Sequence, residues 1–406
     1  MSASPAEIRE FAAEATAFLD ANVERRVVDD SGWGVGSDRV PLLDETDPEV
    51  EKRELAAARV WRAKVFDAGF GWLGGPVEYG GAGRDPVLDE VFHSLESAYE
   101  LPGMGFFGIA RNMLAPAILG HGTPQLKERY LRGLFRGDIV ACQLFSEPGA
   151  GSDLASVRTR AVRKGDGWLV SGQKVWNSYA QVAEVGELLA RTDRDAPKHH
   201  GLTMFVLDMD QPGVEVRPLK QMNGGAHFNE VFLDEVFVPD TNRIGEPGSG
   251  WKVTRTTLMS ERGAVGSGEA ALSAPYVQRL ADLARHVGRD GDPAVRQLLA
   301  DAYAADRVLA LVNEQAASRR QLGPEGSIMK LLYSRQLKRV ADTAAELLGP
   351  AIAADTGEWG TFAWAEFLLS APGLRIAGGT DEIMLNILGE QVLKLPREPR
   401  PEAVAQ

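Results

Sequence analysis

The chain has 406 residues, 44% hydrophobic and 25% charged, the proportions of a globular protein with a large core. Lys and Arg total 44 against 57 Asp and Glu, a formal charge of −13 that argues against nucleic-acid binding and against adhesion to an anionic membrane. One cysteine, Cys142, excludes a disulfide framework within the chain, and no apolar run approaches the roughly 18 residues of a membrane span. The opening MSASPAEIREF lacks the basic-then-apolar order of a signal peptide, so a cytoplasmic location is expected.

In chain order, residues 5–22 place Ile8, Phe11, Ala12, Ala15, Phe18 and Leu19 at helical spacing. Residues 29–48 are rich in Gly, Asp and Pro and predict an irregular loop. Residues 49–68 predict a second helix. Seven glycines between Gly69 and Gly83 make that stretch loop. Three further helices are predicted over 85–99, 109–119 and 124–135. The last has Thr123 as its cap and Pro124 in its first turn. From Ile139 to about Val238 the texture changes to short strands between turns. WLVSGQKVW follows the turn Gly165-Asp166-Gly167, and GLTMFVLDM reads as a buried strand. GVEVRPL and HFNEVFLDEVFVP alternate as half-buried strands do. After Gly250, Ala- and Leu-rich helices are predicted over 251–287, 293–320, 326–349 and 380–395. The fold class is α+β: an N-terminal helical domain (1–138), a central β-domain (139–243), a C-terminal helical bundle (244–396) and a disordered tail (397–406).

Three strings carry chemistry. Phe145–Asp153 reads FSEPGAGSD, Gln173–Ser178 reads QKVWNS, and Ala377–Glu382 reads AGGTDE. In the first, Ser146 and Ser152 flank a turn whose Gly149 and Gly151 let backbone approach a ligand closely. Backbone N–H groups and hydroxyls suit polar ring oxygens and a phosphate. Alone, a Ser/Gly turn is usually just a turn, and Trp176 alone reads as a core aromatic. Thr380 suits a helix cap, and Glu382 suits the first turn of that helix, where a carboxylate favours the dipole. Six histidines show no metal-ligand spacing, so no metal is assigned. GGAGRD lacks the strand–turn–helix setting of a nicotinamide fingerprint.

Together these strings resemble the flavin-binding signatures of the acyl-CoA dehydrogenase family. The resemblance covers nearly the whole chain. It is strongest over 139–263 and 324–396 and weakest over 24–50 and 276–295. It implies an N-terminal helical domain, a central β-domain and a C-terminal four-helix bundle. It also implies FAD as cofactor, an acyl-CoA substrate, an electron-transfer flavoprotein as electron acceptor, and a homo- or hetero-tetramer built as a dimer of dimers. By position, Gln143, Phe145, Ser146, Gly151, Ser152, Trp176, Ser178, Thr380 and Glu382 would contact FAD. Ser146 would bond the flavin ring, Trp176 would cover one of its faces, and Ser178 would donate to N5 where the family usually has threonine. Ser152, Arg262 and Gly378 would meet the substrate, Ser152 beside the phosphopantetheine arm.

Dehydrogenation of an acyl thioester needs a base at the α-carbon and a hydride acceptor for the β-carbon. Many family members carry a catalytic glutamate just before a Gly-Thr pair, where this chain has Gly378. In some branches the base instead sits in a Glu-Arg pair on the helix opening the C-terminal domain. Here that pair is Glu261-Arg262, and Gly378 leaves room for Glu261. The bland alternative is a helix carboxylate paired with Arg255 or Arg262. Two departures touch the dinucleotide end of FAD. Residues 284–288 lack the family phenylalanine, and Glu346 stands where glutamine is usual. Two other readings stay open: a flavin oxidase or monooxygenase of the same fold, and the structural subunit of a hetero-oligomer.

Overall fold

The computed structural model describes residues 3–26, 33–35, 37–40, 42, 47–267, 276–317 and 323–397; for 261–267 and 317 that description is of the helix backbone alone. The described residues form two compact units, those within 1–30 and 44–257 and those within 31–43 and 258–406. The predicted tail lies outside the described residues from 398 onward, as do parts of the 29–48 loop.

The first unit opens with α1 (Pro5–Asn22), which starts at a capping box. The Ser4 hydroxyl accepts from the Glu7 amide and the Glu7 carboxylate accepts from the Ser4 amide. Its buried stripe of Phe11, Ala15 and Leu19 shares a core with Trp61 and Val65 of α2 (Pro48–Asp67). Leu88 and Phe92 of α3 (Val87–Glu96) complete that cluster. A π-helical turn at Ala110–Leu114 runs into α4 (Ala115–His121). Helix α5 (Pro124–Arg136) begins at the expected Thr123 cap, whose hydroxyl accepts from the Leu126 amide at 3.2 Å.

The same unit holds an eight-stranded sheet. Its strands are β1 (Ala141–Leu144), β2 (Arg160–Lys164), β3 (Gly167–Ser178), β4 (Val185–Arg191), β5 (Leu202–Asp208), β6 (Val214–Leu219), β7 (Phe228–Pro239) and β8 (Arg243–Ile244). The order is β6-β7-β3-β2-β4-β5-β8, with β1 added in parallel to β4. Strand β4, absent from the sequence expectation, is buried from Val185 to Ala190 even though it contains Glu187. Cys142 is buried on β1, and burial pushes its thiol up to about 12. Thiolate chemistry is thereby closed to it.

The boundary between the units falls inside α6 (Gly250–Ser267), between Thr257 and Leu258. Of the single helix expected over 251–287, the described residues show α6 and α7 (Tyr276–His286), and residues 268–275 between them lie outside the described ones. Helices α8 (Pro293–Ala317) and α9 (Gly326–Leu348) follow as expected. Helix α10 (Ala363–Ile376) was not expected. It is apolar over most of its surface, which hides the helical period, and Pro372 lies inside it. The helix expected over 380–395 is shorter: α11 (Asp381–Ile387), then a π-helical turn at Leu388–Val392. The core of this unit gathers Leu280, Leu283, Leu309, Leu337, Trp364 and Phe367. The described residues among 33–42 dock on it. Val40 joins the core, the Arg279 guanidinium donates to the carbonyls of Ser37, Asp38 and Arg39, and Trp33 stacks on His286 with centroids 4.5 Å apart.

Candidate active site

FSEPGAGSD leaves β1 and folds back at once. The Glu147 amide donates to Ala150 O and the Ala150 amide to Glu147 O, closing a tight turn. A buried ion pair lies beneath it. Lys174 of β3 is fully buried and donates through Nζ to Glu147 Oε1 at 3.0 Å and to Phe145 O at 2.9 Å. The Glu147 carboxylate also accepts from the amides of Arg158 at 2.6 Å and Thr159 at 2.8 Å. One pair of side chains therefore ties the turn, the approach to β2 and the middle of β3. Burial pushes the Lys174 ammonium down to about 8. Burial also pushes the Glu147 carboxyl up, but Lys174, Thr159 and the Arg158 amide outweigh it and hold the carboxyl below its ordinary value. Both groups are charged at neutral pH.

The consequence appears two residues further along β3. Lys174 pairs with Val231 of β7, but Asn177 pairs with Asn229, so β3 spends three steps where β7 spends two. That bulge turns Trp176 outward at φ +65°, a conformation few non-glycine residues adopt. Trp176 is 58% exposed and touches Phe228 edge-on, with centroids 5.9 Å apart. It is no core aromatic. Asn177 beside it is buried and donates to Gln143 O at 2.6 Å, and its own carbonyl accepts from Asn229 Nδ2. Ser178 ends the strand, half-buried, opposite Phe228.

Around this bulge the chain leaves a wall suited to a flat heteroaromatic ring with a phosphate tail. Ser146 and Gln143 are half-buried, and Gly151 and Ser152 are exposed. A Cβ built on Gly149 or Gly151 would meet nothing, and neither residue has a positive φ. The fold itself does not require glycine there, whereas a ligand lying against the backbone would. A cleft of about 300 Å3 opens beside Pro148 and Gly149. Phe145 differs from its neighbours: its side chain is buried and its carbonyl is taken by Lys174. Sequence reasoning quoted Glu147, Lys174 and Asn177 inside the motifs without giving them a role. The one signal available was a Lys and a Glu inside otherwise apolar or turn-forming strings.

The second unit carries the other string. Gly378 and Gly379 adopt φ +66° and +93°, turning the chain from α10 into α11. Thr380 caps α11, its hydroxyl accepting from the Ile383 amide at 3.2 Å. Glu382 is exposed on the first turn. Asp381, only 4% exposed, accepts from Ser334 Oγ at 2.6 Å, Arg375 Nε at 2.8 Å and Lys330 Nζ at 3.3 Å. Its lone pairs are committed to holding helices together, so it is a poor base. Arg289, the residue after the 284–288 departure, donates to Glu346 O at 2.6 Å and to Glu346 Oε1 at 3.3 Å. Glu261 and Arg262 lie on α6, and their side chains are outside the described residues.

The chain matches the acyl-CoA dehydrogenase N-terminal domain over 38–138, the middle domain over 142–236 and the C-terminal domain over 248–393. The chain belongs to the acyl-CoA dehydrogenase family. As a member of that family it is an oxidoreductase, and the family's cofactor is FAD. It is 45% identical over 287 residues to acyl-CoA dehydrogenase FadE34 of Mycobacterium tuberculosis, a match covering 70% of this chain and 39% of that longer protein. It is 35% identical over 358 residues to acyl-CoA dehydrogenase IpdE1 of the same organism, covering 87% and 92%. Among solved structures it resembles the Tcur3481-Tcur3483 steroid acyl-CoA dehydrogenase at 26% identity and TM-score 0.74, covering 98% of this chain and 99% of that one. It resembles the ChsE4-ChsE5 complex from M. tuberculosis at 26% and 0.73, covering 98% and 100%. No helix among the described residues is long and apolar enough to cross a membrane.

Two outcomes test this acyl-CoA dehydrogenase site. Trp176→Gly removes a left-handed tryptophan whose strain is on the order of 1–3 kcal/mol. The FAD-free variant should melt no lower than wild type, while FAD retention through gel filtration falls. Undiminished FAD retention would take Trp176 out of the site. The second concerns Glu147. Its folded carboxyl lies below the unfolded value of about 4.3, so its stabilising contribution is present above that pH and is lost as pH falls through the folded value. Glu147→Gln strands a buried ammonium and should cost about 3–5 kcal/mol at neutral pH. Urea titrations between neutral and acid pH should show a shallower acid loss in the variant than in wild type.

Proposed function

We propose that this chain is a cytoplasmic acyl-CoA dehydrogenase that forms a trans-2-enoyl-CoA, with Glu261 as the base at the α-carbon. Bound FAD supplies the hydride acceptor at N5. Ser146 and Ser178 orient the ring from the sheet side, and Trp176 stands against one face. Ser152 lies at the exposed end of the turn, where the phosphopantetheine arm and flavin phosphates would pass, and Arg262 lies beside the thioester end. Glu261 takes the α-proton, and Gly378 keeps the opposing position free of a side chain. The observation that carries this reading is the outward Trp176 on the β3 bulge, together with Gly149 and Gly151, which the fold does not need as glycines. The saturated Asp381 supports Glu261 further by removing a competing carboxylate.

The acyl group is a ring-bearing, steroid-derived acid. This rests on similarity to a protein described as a steroid acyl-CoA dehydrogenase. The assembly is a hetero-oligomer with a second chain of the same family, as the paired names of the two similar structures suggest. The Arg289–Glu346 pairing supports that reading, because the family resemblance implies that glutamine is usual at Glu346 and that this part of the chain meets the dinucleotide end of FAD. One FAD per pair of chains is expected, with an electron-transfer flavoprotein as electron acceptor.

Glu261→Gln is the decisive variant. A positioned general base contributes on the order of 10²–10⁴ in rate. Anaerobic mixing of the FAD-loaded assembly with a steroid-side-chain acyl-CoA should bleach the flavin at least about 10²-fold more slowly in the variant. FAD content and melting temperature should change little. Wild-type bleaching by the variant would overturn the assignment of the base. Bleaching by straight-chain but not ring-bearing acyl-CoAs would overturn the substrate class.

A further inference from the structure

Strand β2 carries a row of cations that the first unit leaves without partners. Thr159 and Ala161 are buried, so the strand and its approach turn Arg158, Arg160, Val162 and Lys164 to the opposite, exposed face. The row is roughly 20 Å long. Arg163, the other cation of this stretch, pairs with Asp240 at 2.7 Å. Among the described residues, Arg158, Arg160 and Lys164 have no ion pair and no side-chain hydrogen bond. Of the carboxylates around the row, Glu147 is held by Lys174 and Glu230 by Gln173, and Asp166 and Glu235 form no ion pair with it. The neighbouring strand adds a further positive charge. Arg160 pairs in register with Arg191 of β4, whose guanidinium donates to the carbonyls of Ala155, Val157 and Lys198. Like charges side by side repel, and these stand on a chain whose formal charge is −13.

Two features give the row the shape of a binding surface. At one end, Arg158 lines the cleft of about 300 Å3 together with Gly149, Ser156 and Gln173. Further along, between Arg160 and Lys164, Val162 is 55% exposed and lies in register with Leu169 of β3 and, through it, Phe237 of β7. Phe237 is 39% exposed, and a Cβ on Gly167 would lie 2.5 Å from its Cζ. Its ring therefore lies over β3 backbone at the residue paired with Lys164. Cations thus flank an apolar rung that ends in an aromatic ring. An acidic protein surface would match the cations but neither the cleft nor the rung. A nucleotide matches all three. Its phosphates take Arg and Lys, and its purine lies on apolar and aromatic side chains.

We propose that this row binds an adenosine diphosphate group, the part that acyl-CoA and FAD have in common. The phosphates lie at the cleft against Arg158 and Arg160, and the purine lies on Val162 and Phe237 beside Lys164. This rests on the reading of the chain as an FAD-dependent acyl-CoA dehydrogenase. Gly149, which the fold does not need as glycine, lines the same cleft, so the phosphate end of a ligand on the turn passes directly onto the row.

The test uses the triple variant Arg158→Gln, Arg160→Gln, Lys164→Gln with two readouts, which separate the two sources of the group. In the first, ADP is titrated into the FAD-loaded assembly by calorimetry at low salt. If the row takes the nucleotide of acyl-CoA, wild type binds ADP about 10-fold more tightly than pyrophosphate, because the purine stacks. The triple variant binds ADP at least about 10-fold more weakly, and its half-saturating acyl-CoA concentration rises. In the second readout, FAD retention through gel filtration is compared. If the row takes the nucleotide of FAD, wild type retains FAD and the variant loses it. The FAD-free chain should melt no lower in the variant, because the substitutions are exposed and remove repulsion. ADP binding and FAD retention both unchanged by the triple substitution would overturn the proposal. So would pyrophosphate bound as tightly as ADP. A loss confined to electron transfer to an electron-transfer flavoprotein would make the row a protein-docking face and overturn it too. Should the triple variant not fold, Arg158→Gln and Lys164→Gln are compared singly, and wild-type behaviour of both overturns the proposal. Absence of bleaching with every acyl-CoA would defeat the function proposed above, whereas ADP binding and FAD retention decide this inference separately.

Discussion

Everything on the sheet side of the site hangs on two charges taken out of water together. Lys174 and Glu147 are held by one another, by Phe145 O and by the amides of Arg158 and Thr159. Such a pair adds little net stability over a well-packed apolar substitute, because desolvation offsets the attraction. What it supplies is position. It fastens the turn of FSEPGAGSD to β3 at one point, and the register of β3 slips immediately after that point. The slip presents Trp176 to solvent and directs Asn177 inward onto Gln143 O. Backbone strain at Trp176 is sustained because the strand is pinned on both sides of it.

The second unit repeats the device with different residues. Asp381, Lys330, Ser334 and Arg375 form a buried cluster at the start of α11, and two left-handed glycines precede it. Gly378 thus has a backbone reason to be glycine. The two regions least like the family also meet. Residues 33–42 lie on α7, through Trp33 on His286 and Arg279 on three carbonyls.

Much of this was legible in the sequence, for physical reasons. Period-2 alternation gave β6 and β7, and cap chemistry gave the start of α5, because both signals are local. FSEPGAGSD and QKVWNS come together in the structure because both belong to one sheet, where the Lys174–Glu147 pair joins them. The roles of Glu147 and Lys174 were not legible, since a buried pair looks like any Glu and Lys until the partner is known. Strand β4 escaped because Glu187 breaks its apolar run, and the Thr257 hydroxyl that bonds it lies seventy residues away in the sequence. Helix α10 escaped because a helix apolar on most sides shows no stripe.

The central claim is that residues of this chain remove a proton from the α-carbon of an acyl-CoA while a hydride leaves its β-carbon. The most direct measurement is the anaerobic rate of flavin bleaching with substrate deuterated at the α-carbon, at the β-carbon, and at both. The account predicts that deuterium at either carbon slows bleaching, with the doubly labelled substrate slowest. Bleaching insensitive to deuterium at both carbons under saturating substrate, in an assembly limited by chemistry, would contradict it.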